Sequence, residues 1–186
     1  NFTLHFMISI GQIRQALKNE ELKFYGQITL AFTLVIFIIL YAHGTGIHKA
    51  FRDSLFQVVS IITCTGFATT DYLLWPATGW FLIFLAMFVG ASAGSTGGGI
   101  KVIRHLLMMK NLSMEVKTFL HPRVIYSVKY HGNLVSGNQM RSVIAFYIWY
   151  LIIFFFSSLL MMVFGVDFLS SIGGVATSMG GIGPGL

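Results

Sequence analysis

Thr63-Cys64-Thr65-Gly66-Phe67 and Thr177-Ser178-Met179-Gly180-Gly181-Ile182-Gly183 occupy corresponding places in the chain. Each lies in a short segment, Asp53 to Phe67 or Asp167 to Leu186, that follows a long apolar run. The short segments hold moderately polar stretches, too short to cross a bilayer, which takes ~20 largely apolar residues. The long runs, Phe24 to Gly44 and Ser142 to Phe164, meet that length. A short segment that follows an outward helix and precedes an inward one must enter and leave on one side. The sequence therefore predicts re-entrant hairpins in a unit of helix, half-helix, glycine turn and helix. That unit occurs once complete and once in part, and repeats in membrane proteins surround a pathway.

Composition agrees. The 186 residues are 55% hydrophobic and 10% charged, with a mean hydropathy of +0.78, against about 25% charged in an average soluble domain. The same figures exclude disorder, and a single cysteine excludes a disulfide-stapled module or a Cys-based metal cluster. The net charge of +6 is a topology signal. Arg14, Lys18 and Lys23 flank the first connection, and Lys101, Arg104, Lys110, Lys117, Arg123, Lys129 and Arg141 crowd a second. Only Lys49 and Arg52 lie elsewhere, so the positive-inside rule makes both crowded regions cytoplasmic. No nucleic-acid recognition motif accompanies the charge, and no nucleic acid is expected as a partner. Asn1 opens the chain without a methionine, and Gly-Ile-Gly-Pro-Gly-Leu ends it, so truncation at both ends is expected.

The chemistry follows from the irregular segments. Non-helical backbone at membrane depth persists only where protein buries it or where it lines water. A Gly- and Thr-containing strand after a half-helix presents a row of carbonyls, which can replace the water shell of K⁺. Asp53 and Asp167 are expected to cap the outer ends of the short helices and attract cations. Gly180 and Gly183 both remain open as the partner of Gly66, since Gly180 follows Asp167 by as many residues as Gly66 follows Asp53.

A third apolar segment, Gly79 to Met109, is interrupted by Gly90, Ala91, Ser92, Ala93, Gly94, Ser95, Thr96, Gly97, Gly98 and Gly99. Each Gly costs a helix about 1 kcal/mol relative to Ala, so the expectation is an unwound stretch that obstructs a pore and moves aside. Lys101, just below this gate candidate, must find a partner or water. Gly94 to Lys101 only superficially resembles a phosphate-binding loop, because Ile100 displaces the lysine and Val102 replaces the hydroxyl residue. Cys64 is read as packing against a supporting helix. No nucleophile, base and oxyanion site assembles, so no enzyme is expected. The competing readings are a secondary transporter with a midplane substrate site at broken helices and a membrane scaffold.

Phe56-Gln-Val-Val-Ser-Ile-Ile-Thr-Cys-Thr-Gly-Phe-Ala-Thr-Thr70 resembles the third filter repeat of the Trk/Ktr/HKT-type potassium transporters, and Gly90 to Arg104 is similar to that family's intramembrane loop. His121-Pro-Arg-Val-Ile-Tyr-Ser-Val-Lys129 resembles the cytoplasmic connection of the bacterial TrkH-like branch, Ile182-Gly-Pro-Gly-Leu186 its fourth filter, and Asn1-Phe-Thr-Leu-His5 the helix after its second filter. The family commonly carries Asn where this chain has Gly180-Gly181.

The resemblance implies an all-α transmembrane fold of helix–pore-loop–helix repeats, as in a potassium-channel-like transporter. Residues 1–23 would end the second-repeat helix and begin the cytoplasmic connection. Residues 24–110 would form the third repeat, 111–141 a basic cytoplasmic connection, and 142–186 the outer helix, pore helix and filter of the fourth. It also implies K⁺ as the transported ion, held by carbonyls of Thr65, Gly66, Ile182 and Gly183, with no covalent cofactor. The expected setting is a bacterial inner membrane spanned several times. The expected partners are the lipid bilayer, a second copy in a homodimer, and a cytosolic, nucleotide-binding, TrkA-like regulatory subunit docked on the basic connection.

Overall fold

In the computed structural model, which describes residues 2–124 and 126–183, the chain is a bundle of helices joined by tight turns. A short α1 (Phe2–Ser9) and α2 (Ile13–Leu17) precede the first long helix, α3 (Glu20–Ala42). The carbonyl of the Asn19 side chain accepts the Leu22 amide at 3.0 Å, and Glu20 and Glu21 place two acids in the first turn, where the helix dipole favours them. The helix thus begins four residues before the expected Phe24. Next come α4 (Ile47–Ile62), a 3-10 turn (Tyr72–Leu74) and α5 (Ala77–Met87). The glycine stretch intervenes, and α6 (Val102–Leu120) continues into the basic connection.

A two-residue hairpin, β1 (Lys129–Tyr130) with β2 (Asn133–Leu134), turns through His131-Gly132, both at positive φ as a I′ turn requires. The second long helix, α7 (Gly137–Val163), opens on a capping box. Ser136 Oγ accepts the Gln139 amide, and Gln139 Oε1 accepts the Ser136 amide. The last helix is α8 (Phe168–Gly180).

Helices α3 and α7 end alike, with Thr45 N donating to Leu40 O at 3.1 Å and Val166 N donating to Met161 O at 3.2 Å. A short helix follows each turn within three residues and packs back on its long helix. Two of the helices, α3 and α7, are long and apolar enough to cross a membrane.

The polar and apolar faces of α4 are inverted relative to a soluble protein. Helix α4 buries Asp53, Ser54, Gln57 and Ser60, and exposes Phe51, Leu55, Phe56 and Val59. Helix α7 turns Tyr150, Phe154 and Ser158 inward and leaves Trp149, Phe155, Phe156 and Leu159 exposed. The core gathers Ile36, Val58, Ile61, Ile83, Met87 and Val175 from α3, α4, α5 and α8.

One expectation is corrected. Asp53 caps nothing, because α4 starts at Ile47 after Gly46 and places Asp53 a turn and a half inside. There Asp53 accepts from Arg52 Nε at 3.1 Å. Asp167 does cap α8, accepting the Ser170 amide at 3.0 Å, and that bond lowers its pKa. The cause is length: α4 has 16 residues and α8 has 13, so counting from the two acids compares unlike positions.

Replacing Ser136 by Ala should lower the stability of α7 by about 1 kcal/mol, the usual cost of a lost N-cap. Thermal unfolding in detergent checks this, and an unchanged midpoint would remove the capping box from the account.

Candidate functional site

The ends of α4 and α8 share one backbone geometry. After α4, Cys64 N donates to Ile61 O at 3.0 Å and Thr65 N to Ser60 O at 3.0 Å. After α8, Gly181 N donates to Ser178 O at 3.3 Å and Ile182 N to Thr177 O at 3.1 Å. This pair of bonds requires a left-handed residue just past the helix. Cys64 at φ 57 and Gly181 at φ 62 occupy that position. A side chain there costs about 1–2 kcal/mol, which glycine avoids. In this register Thr65 corresponds to Ile182 and Gly66 to Gly183, while Gly180 corresponds to Thr63. Gly181 of the Gly180-Gly181 pair supplies this left-handed position without a side chain.

The two segments differ in their side chains. Ser60 gathers the first: its hydroxyl donates to Phe67 O at 2.6 Å, and its carbonyl also accepts the Thr65 hydroxyl at 3.2 Å. Thr177, its counterpart, turns its hydroxyl back to Gly173 O and Gly174 O. Ile182 is buried in the core, while Thr65 is exposed. Pro184, Gly185 and Leu186, the rest of the second segment, lie outside the described residues, as do Asn1 and Ile125.

The glycine stretch is a compact loop seated on the end of α8. Gly90 N donates to Ile100 O at 2.9 Å, closing the loop at its neck. Gly99 N donates to Met179 O at 3.1 Å, joining loop to helix. A Cβ on Gly98 would stand 2.5 Å from Gly180 O, so the two backbones touch where no larger residue fits. Cys64 packs against the helical core, as expected, and also on this loop: a Cβ on Gly97 would lie 3.3 Å from its Sγ. Loop, α8 end and the Cys64 turn therefore form one contact.

Lys101 finds its partners inside the loop. Its ammonium donates to Ser95 O at 3.0 Å, to Ser95 Oγ at 3.2 Å and to the carbonyl of Gly97. Across the loop, Ala93 N donates to Glu21 Oε1 at 2.6 Å, and Glu21 is 1% exposed. Sequence reasoning missed Glu21. Its only signal was an acid on an otherwise apolar helix, and Glu20-Glu21 reads equally well as a first-turn pair. Below, Glu20 pairs with Lys110 of α6, which also donates to Lys129 O at 2.7 Å. His105 lies between Phe88 O at 3.3 Å and the Tyr147 hydroxyl at 2.6 Å. Among the described residues, no group of three or more His, Cys, Asp or Glu is placed to hold a metal.

Comparison with known proteins places this geometry. Residues 24–186 match the family described as TrkH, cation transport protein. The Trk system potassium uptake protein TrkH of Vibrio parahaemolyticus is 37% identical over the whole chain, which covers 39% of that protein. The TrkH of Escherichia coli K12 is 33% identical with the same coverage, and its TrkG is 35% identical. The crystal structure of the potassium transporter TrkH from V. parahaemolyticus superposes with a TM-score of 0.92, covering all of this chain and 41% of that one. The chain thus spans about two fifths of the length of these relatives.

Replacing Glu21 by Ala removes a hydrogen bond to a charged group, worth about 1.5–3 kcal/mol. Amide exchange at Ala93 should rise roughly ten- to a hundredfold with α3 still protected. Unaltered exchange there would show that Glu21 does not hold the loop.

Proposed function

The chain belongs to the TrkH family of cation transport proteins, and from that membership we propose that it supplies two filter segments and the gating loop of a K⁺ uptake pore. The observation that carries this reading is the shared register at the two helix ends, with Thr65-Gly66 matched to Ile182-Gly183. In each segment the chain leaves the helix through a left-handed turn and ceases to use its carbonyls for helix bonds. Oxygens released in this way can stand in for the hydration shell of K⁺. The C-terminal ends of α4 and α8, with their negative dipole ends, precede the segments and favour a cation. K⁺ is the cargo, and no covalent cofactor is needed for this chemistry.

The gate is the loop of Gly90 to Gly99 with Lys101. Its contact with Gly180 places it one turn from Ile182 and Gly183, and a lysine beside a cation path adds an electrostatic barrier. Ser95 O and Gly97 O hold the ammonium in place while the loop is seated. Opening then requires the Gly99–Met179 bond and the Glu21–Ala93 bond to be released together, which makes Glu21 a positioning residue for the gate. Four equivalent segments would complete a filter, two of them supplied by chain beyond these residues. We place the assembly in a bacterial inner membrane as a homodimer, with a nucleotide-binding, TrkA-like subunit on the basic connection.

Two flux measurements on the complete protein in liposomes test this. Gly66→Ser should sharply lower the K⁺/Na⁺ permeability ratio, and an unchanged ratio would falsify the filter assignment. Deleting Gly94 to Gly99 should raise K⁺ flux severalfold. A lower or equal rate in protein that still elutes as a folded species would count against the gate.

A further inference from the structure

Within the basic connection, between α6 and the segment leading into β1, lies a cleft of about 360 Å³ that takes no part in the filter or the gate. Lys110, Lys117 and Lys129 line it together with Ser113, Ser127 and Tyr126, and Met109 and Met114 form an apolar wall. No acidic residue is among the described residues that line it. Lys110 is committed, pairing with Glu20 and donating to Lys129 O. Lys117 and Lys129 are exposed at the mouth. We propose that this cleft binds the phosphate headgroup of an anionic phospholipid.

Depth argues for a lipid over a soluble anion. Glu20 is the first residue of α3, a helix of membrane-crossing length, and its ion pair with Lys110 ties the cleft to that level. The cleft therefore lies at the border of the hydrocarbon on the lysine- and arginine-rich side, where anionic headgroups reside. This placement rests on the membrane topology of the pore reading. The composition fits the ligand in two layers. Ammonium and hydroxyl donors suit a phosphate diester, and the methionine wall suits the glycerol and the first methylenes of an acyl chain. A soluble phosphate would leave that wall unused. The tie through Lys110 to Glu20, next to Glu21 on α3, also places a bound headgroup beside the residues that hold the gating loop.

The test uses the complete protein purified in detergent, with phosphatidylglycerol and phosphatidylcholine as probes and bound lipid counted by native mass spectrometry. Phosphatidylglycerol should be retained over phosphatidylcholine. A Lys117→Gln/Lys129→Gln variant should lose roughly thirtyfold in that retention, at about 1 kcal/mol per lysine near a membrane surface. Lys117→Arg/Lys129→Arg, which keeps the charge, should restore it. Equal retention by the glutamine variant would overturn the site, as would displacement of the lipid by millimolar inorganic phosphate. Loss of an acidic protein partner with lipid retention unchanged would overturn it too, assigning the lysines to protein docking. K⁺ flux from the same preparations separates the two readings: absent flux with selective retention would sink the pore and uphold the lipid site.

Discussion

Where Gly98 meets Gly180, two backbones approach more closely than any side chain allows, and most of the site depends on that contact. It seats the loop on α8, brings Gly99 N to Met179 O, and leaves the loop no freedom to be helical. The helix that would run from α5 into α6 is broken as a consequence. Its carbonyls and amides, freed from helix bonds, take other partners. Lys101 donates to the carbonyls of Ser95 and Gly97, and Glu21 accepts the amide of Ala93 on the opposite side. Glycine at one point of contact therefore dictates where a lysine and a glutamate must be.

The same economy of polar groups organises the rest of the bundle. Polar side chains of α4 face inward, and large apolar ones on α4 and α7 face outward. Charged groups are held to the ends of helices or to specific partners. Glu20, Lys110 and the carbonyl of Lys129 link α3, α6 and the β1–β2 hairpin at one level. That linkage connects the basic connection mechanically to the helix whose next residue, Glu21, accepts from the loop.

Much of this was legible beforehand. The two long helices, the break at Gly90 to Gly99 and the need of Lys101 for a partner follow from apolar length, glycine content and charge. A repeated unit was expected too, but its register was left open. Asp53 and Asp167 look equivalent in sequence, yet α4 is longer by about one turn, and only the hydrogen bonds at the helix ends reveal that Gly66 matches Gly183. Cys64 gave no sign of occupying a left-handed position, since that conformation is rare for a residue with a side chain. Glu21 was invisible for a different reason: its partner amide is 72 residues away.

The sequence by itself determined the apolar character of the chain, its two long apolar helices among the described residues and the stretch where the helix is broken. These depend on local composition and periodicity, which any stretch of chain carries with it. Only the tertiary structure decided which glycines touch, which acid holds the loop, and how the two short helices align. Those outcomes depend on contacts between segments far apart in the chain, whose energies are set by distance in space and leave no local trace.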